Sequence, residues 1–283
     1  MRYVFLLATI VLFTACKKSG GDAVPAPAIA VSTLTDIPYG TDARQKMDLY
    51  LPANRSADTT KVIILIHGGG WDEGDKADFN SAVPILQSYL PGYAIININY
   101  RLAANGQNLF PTQENDVKTA AEFVFGKRKE FIISDKWVFL GASAGGHLAL
   151  LQSFKYSSPV KPKAVVSFFG PSDLVSLYNA PNPLVALLLL NATGTIPALN
   201  PAPYQQASPV NFITAQSPPT ILLQGGADPL VPPSQSTLVR DKLQSLGVAN
   251  QYVFYPNNGH GWEGDDLIDS FNKIAAFIKL QVN

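Results

Sequence analysis

The span Trp137-Val138-Phe139-Leu140-Gly141-Ala142-Ser143-Ala144-Gly145-Gly146-His147 constrains the fold of this chain more than any other segment. Four apolar residues run into a glycine, a serine stands between small residues, and Leu148-Ala149-Leu150-Leu151 follows with helical composition. A strand that bends straight into a helix must lack bulk on both sides of the bend, because a Cβ there would push the two elements apart. The Ser143 hydroxyl then stands exposed at a helix N-terminus, whose unpaired N–H groups favour developing negative charge. In an open α/β sheet such a bend lies at the carboxyl edge of the strands, where ligands bind.

The remaining apolar runs fit the same sheet. Strands are expected at 31–37, 47–51, 61–66, 94–99, 137–140, 164–169, 220–224 and 251–255, and amphipathic helices at 78–90, 113–125, 145–156, 234–246 and 266–282. The first two strands are short and partly alternating, as antiparallel edge strands are; the later ones are continuously apolar, as strands covered on both faces are. The predicted architecture is therefore an eight-stranded, mostly parallel sheet flanked by helices, a single α/β domain over 31–283. An insertion after the sixth strand, about 172–217, breaks the alternation. Its run Leu184-Val185-Ala186-Leu187-Leu188-Leu189-Leu190 reads either as a core helix or as a cap whose apolar face walls the site.

The chain carries 21 basic and 21 acidic residues with no long run of either sign, which leaves no electrostatic footprint for nucleic acid or anionic lipid and points to a neutral substrate. Residues 1–15 read as a signal peptide, with an apolar core far short of the roughly 20 residues that span a bilayer. Cys16, the only cysteine, follows small residues in a pattern that resembles the lipobox of bacterial lipoproteins. The resemblance implies lipidation at Cys16 and an exported protein anchored to a bacterial membrane, on its periplasmic or cell-surface side. Ordinary cleavage near Ala15 and an uncleaved anchor are the alternatives. Residues 16–30 are expected to form a flexible tether. With Cys16 set aside, no thiol remains as nucleophile or metal ligand, so the chemistry uses oxygen and nitrogen.

A serine hydroxyl needs a base, and the base needs an orienting carboxylate. Three histidines are present. His67 opens the loop His67-Gly68-Gly69-Gly70-Trp71 and is expected to hold the glycine turn. His147 lies on the helix after Ser143 and points along it. His260, on a Gly-rich loop after the last strand, is the expected base. With the chain order Ser, acid, His, the acid is Asp228; Asp173, Glu263 and Asp265 are its rivals, and Asp173 is expected to cap a helix instead. The N–H groups of Gly69, Gly70 and Ala144 would then form an oxyanion hole.

Taken together, His67-Gly68-Gly69-Gly70-Trp71, Gly92 to Leu102, Gly141 to His147, Ser217 to Thr220 and the Asp228 and His260 loops resemble the α/β-hydrolases of the esterase/lipase type, over nearly all of 31–283. Within them the chain is most similar to bacterial bifunctional feruloyl and acetyl-xylan esterases. Gln224-Gly225-Gly226 stands where those sequences often have His-Gly-Thr. The resemblance implies a cofactor-free serine ester hydrolase that removes acetyl or feruloyl-type groups from polysaccharides or their fragments through an acyl-serine. Alternatives are an arylformamidase-like amidase and a generalist short-chain carboxylesterase. A non-catalytic binding module would be expected to have lost the serine or the histidine.

Overall fold

In a computed structural model that describes residues 28–282, the chain runs β1 (Ser32–Pro38), β2 (Lys46–Leu51), β3 (Lys61–Ile66), α1 (Ala82–Tyr89), β4 (Tyr93–Ile98), α2 (Thr112–Gly126), α3 (Arg128–Phe131), β5 (Trp137–Ala142), α4 (Ala144–Lys155), β6 (Pro162–Phe168), α5 (Leu174–Tyr178), α6 (Pro183–Thr193), α7 (Ala202–Gln206), β7 (Thr220–Gly225), α8 (Ser234–Ser245), β8 (Asn250–Tyr255) and α9 (Gly264–Gln281). The eight strands form one sheet in the order β1-β2-β4-β3-β5-β6-β7-β8. β1 and β2 pair antiparallel, β2 joins β4 antiparallel, and every later pairing is parallel. The signal peptide 1–15, Cys16 and the tether up to residue 27 lie outside the described residues. Where the chain is described it is already tied down: Asn54 N–H donates to the Ile29 carbonyl at 2.8 Å and Arg55 Nη1 to that of Ala30 at 2.7 Å.

The period-2 geometry of a strand divides the core. Val62, Ile64 and Ile66 of β3 point into one layer with α2, α4 and α8, while Ile63 and Leu65 point into the other with α1 and α9. All five are fully buried. A parallel strand needs cover on both faces, which is why β3 reads as an unbroken apolar run.

The helix expected at 78–90 is broken. Lys76–Phe79 forms a separate 3-10 turn capped by Asp75, whose carboxylate accepts from Ala77 N–H at 3.0 Å, and α1 starts afresh at Ala82. Pro84 is the reason. It has no N–H to donate to the residue four positions earlier, and its ring would strike that carbonyl, so it must sit in the first turn of a new helix. The other long helices start and stop within two residues of expectation. No helix among the described residues is long and apolar enough to cross a membrane.

The bend after β5 leaves no room for a side chain at Gly141 or Gly145. A Cβ on Gly145 would lie 2.0 Å from the Ile66 carbonyl oxygen, and one on Gly141 would lie 2.2 Å from the Gly145 carbonyl oxygen. With no side chain at either position, the N-terminus of α4 comes to rest directly over the end of β3. Gly145→Ala is therefore expected to destabilise the fold by about 3 kcal/mol, the upper end of what overpacking costs. Gly92→Ala, where a Cβ meets nothing within 4 Å, should leave the melting temperature unchanged or slightly raised. Thermal unfolding of the two variants side by side checks this.

Candidate active site

Ser143, between β5 and α4, has φ 54° and ψ −122°, a conformation that costs a non-glycine residue of order 1–3 kcal/mol. Its own backbone holds it there: Ser143 N–H donates to the Phe168 carbonyl, and its carbonyl accepts from His147 N–H, both at 2.9 Å. The bend turns Oγ toward the loop after β8, where His260 Nε2 lies 2.8 Å away. On the other side of that ring, Nδ1 lies 2.8 Å from Asp228 Oδ2. A carboxylate only accepts, so Nδ1 carries the proton, and the neutral imidazole is left with Nε2 free to accept from the serine hydroxyl.

Asp228 is held in its turn. Its side chain is fully buried, and Oδ1 accepts from Leu230 and Val231 N–H at 2.9 Å each. The Gln224 amide donates to the Val231 carbonyl at 3.0 Å and reaches Asp228 Oδ2 at 3.4 Å, while its oxygen accepts from Ser236 Oγ at 2.8 Å. Gln224 thus braces the loop that carries Asp228. Asp173 is the N-cap of α5, accepting from Ser176 N–H at 3.0 Å, and Glu263 and Asp265 stand at the start of α9.

Ser143 and His260 open into a cavity of about 500 Å³ that Gly69, Gly70 and Ala144 also line. Gly69, Gly70 and Trp71 are three consecutive residues at positive φ, 96°, 55° and 68°. Glycine adopts this region freely; tryptophan does not, so something must hold it. The Trp71 indole donates to His147 Nδ1 at 3.1 Å, and His147 Nε2 donates to the Ala207 carbonyl at 2.6 Å. His147, set aside in the sequence as merely pointing along its helix, therefore joins the glycine loop to the inserted segment. His67 lies behind the same loop, its Nδ1 2.8 Å from the Gly68 carbonyl and its ring stacked on Tyr100 at 4.2 Å.

The inserted segment after β6 forms α5, α6 and α7, and its leucine run combines the two expected readings. Val185 and Leu189 are buried in the core, whereas Leu184, Val185 and Leu188 line the cavity. Leu188 lies so close above Gly70 that a Cβ there would come within 2.9 Å of it. Leu230, Val231 and Phe169 add to the apolar lining, and Asp72 and Glu73 bring negative charge to it. Sequence reading missed the pairing of Trp71 with His147 and the cavity lining by Phe169, Leu230 and Val231. Both come from contacts between segments far apart in the chain. Among the described residues no group of three or more His, Cys, Asp or Glu side chains is arranged to hold a metal ion.

Residues 47–243 match the BD-FAE family. The chain belongs to it. Among the relatives of this BD-FAE protein, "Probable carboxylic ester hydrolase LipM" of Mycobacterium tuberculosis is 30% identical over 261 residues, which cover 87% of this chain and 59% of LipM. "Esterase LipQ" of the same organism is 27% identical over 249 residues, covering 81% and 57%. The chain thus spans less than two thirds of the length of these curated relatives. Of solved structures, "Bifunctional GH43-CE" of Bacteroides eggerthii superposes with a TM-score of 0.78 at 26% identity, covering 89% of this chain and 38% of that one. The fold is that of the α/β-hydrolase esterases.

Two histidines of the BD-FAE core titrate far from their usual range. Burial pushes both His67 and His147 down to about 4 from 6.5. Between those values the unfolded chain binds protons that the folded protein does not. Their neutral burial therefore supports the fold fully above pH 6.5 and less as pH falls toward 4. Each contributes a slope of up to about 1.4 kcal/mol per pH unit in that window. His147→Asn, which keeps an acceptor near the Trp71 indole but does not titrate, should flatten the acid loss by about half. Denaturant melts from pH 7 to 4 would show it.

Proposed function

We propose that this protein is a serine carboxylic-ester hydrolase that works through an acyl-serine intermediate and removes acetyl or feruloyl-type groups from polysaccharides or their fragments. The observation that carries the reading is the Ser143–His260–Asp228 chain, with both contacts at 2.8 Å, opening into the cavity that Gly69, Gly70 and Ala144 line. Ser143 Oγ attacks the ester carbonyl carbon as its proton passes to His260 Nε2, and Asp228 holds the imidazolium that forms. The carbonyl oxygen, now negative, is met by the N–H groups of Ala144, Gly69 and Gly70. As the tetrahedral species collapses, His260 returns the proton to the departing alcohol. Water then attacks the acyl-serine, giving a proton to the same nitrogen, which passes it to Ser143 Oγ as the bond to the acyl carbon breaks and the carboxylic acid leaves.

Membership of the BD-FAE family supports the ester, and the solved relative named a GH43-CE protein supports a carbohydrate alcohol. The leader and Cys16 support an exported enzyme held by lipid on the periplasmic or cell-surface side of a bacterial membrane.

Hydrolysis of p-nitrophenyl acetate by the protein, beside Ser143→Ala and Asp228→Asn, tests the mechanism. Ser143→Ala should abolish turnover, and Asp228→Asn should lower kcat by about 10⁴, since an amide in that place favours the wrong imidazole tautomer. Undiminished turnover by a folded Ser143→Ala protein would remove the serine from the reaction. Release of acetate from acetylated xylo-oligosaccharides tests the substrate class. Turnover of the aryl ester without it would leave a generalist carboxylesterase.

A further inference from the structure

The cavity beside Ser143 carries charge of one sign. Asp72 and Glu73 stand in its wall, and no Lys or Arg does. Behind His260 lies a third carboxylate, that of Asp228, which the ring needs as its partner. The other two have no such task, because an ester carbonyl that turns into an oxyanion needs N–H donors around it and not carboxylates.

Both acids are held by the turn they belong to. The N–H groups of Asp72 and Glu73 donate to the Gly69 carbonyl at 3.1 and 2.9 Å. A Cβ on Gly69 would lie 2.3 Å from the Glu73 carbonyl oxygen, so the turn folds directly over that glycine. From α6, Asn191 Nδ2 reaches Asp72 Oδ2 at 3.5 Å. The cations beside the turn are engaged elsewhere. Arg44 Nη2 donates to the Gly74 carbonyl at 2.7 Å and its Nη1 lies 3.8 Å from Asp75, while Lys76 Nζ lies 2.8 Å from Asp48 and 3.1 Å from Asp36. Among the described residues neither Asp72 nor Glu73 takes part in an ion pair.

The field of this unpaired charge reaches the whole site. A cavity of about 500 Å³ is about 10 Å across, close to the screening length of about 8 Å at physiological salt. Apolar walls such as Leu184, Leu188 and Leu230 concentrate the field lines in the space between them. Its effect on the steps of hydrolysis is uneven. When Ser143 attacks, the oxyanion gains a negative charge and the imidazole a positive one, so the net charge of the cavity stays the same. When the released acid ionises, its proton departs and a negative charge remains beside Ser143.

We propose that Asp72 and Glu73 make the cavity select by charge. It favours esters that are neutral or carry a cation, disfavours those that carry an anion, such as an acetylated uronic acid residue, and repels the carboxylate product. This selection rests on the ester-hydrolase reading above, since it takes the space beside Ser143 as the place where the ester reacts.

The test uses two pairs of acetate esters of matched shape, with the full chain. Acetylcholine and 3,3-dimethylbutyl acetate differ by a cationic nitrogen in place of carbon; acetoxyacetate and acetoxyacetamide differ by a carboxylate in place of an amide. Each pair gives a ratio of kcat/KM, charged over neutral, in which differences of fold or of chemistry common to both esters cancel. In the double variant Asp72→Asn, Glu73→Gln the cationic ratio should fall and the anionic ratio rise, each by about fivefold at low salt. Raising NaCl from about 20 mM to about 500 mM should move the ratios of the native protein in the same directions and leave those of the variant flat. Inhibition by acetate should tighten about threefold in the variant. Ratios that match in native and folded variant protein at every salt concentration would overturn the selection while leaving the esterase standing. No turnover of any of the four esters by the native protein would count against the esterase reading instead. Calorimetric titration with choline and with 3,3-dimethylbutan-1-ol then decides: a preference for choline that the double variant loses supports the selection, and equal binding of the two by the native protein overturns it.

Discussion

The contact between the Gly145 backbone and the Ile66 carbonyl sets the spacing on which the rim of the sheet depends. Because no side chain separates them, the helix after the bend begins above the end of the neighbouring strand rather than beside it. The first free N–H of that helix and the glycine loop that leaves the strand then face one space, and the serine between them is forced to positive φ. The histidine and aspartate loops reach the same space because parallel strands deliver their carboxyl ends to a common edge. The geometry is thus a property of the backbone packing, and the three polar side chains exploit it.

Around that edge the protein uses neutral polar groups where charge would be costly. His67 and His147 are fully buried, and desolvation keeps them uncharged, so each can act as a donor at one nitrogen without bringing a counter-charge into the core. Asp228 is treated differently. Its carboxylate is surrounded by donors, two backbone N–H groups, the imidazole and the Gln224 amide. A buried carboxylate with that many partners has little freedom to leave its position.

Much of this was legible in the chain. The central strands are continuous apolar runs and the first two alternate in part, and all eight appear within two residues of expectation. Ser143, His260 and Asp228 were nameable because nucleophile, base and acid need particular residue types after particular strands, and three histidines leave few choices. The break before α1 was written in Pro84 but hidden by an apolar pattern that continues across it. Short helices such as α3, α5 and α7 have too few turns to show a period. The partners of Trp71 and His147 had no local signal, since each contact arises where segments distant in the chain meet.

The hydrogen-bonded line from Trp71 through His147 to Ala207 crosses from the glycine loop to the inserted segment. The insertion is thereby more than a lid of adjustable shape. Leu188 presses on Gly70 from the same side, so the part of the chain that walls the cavity beside Ser143 also sets the stiffness of the glycine turn. A lineage that remodels residues 172–217 to reshape the cavity disturbs that turn as well, so the shape of the space and the geometry of its glycine wall are inherited together.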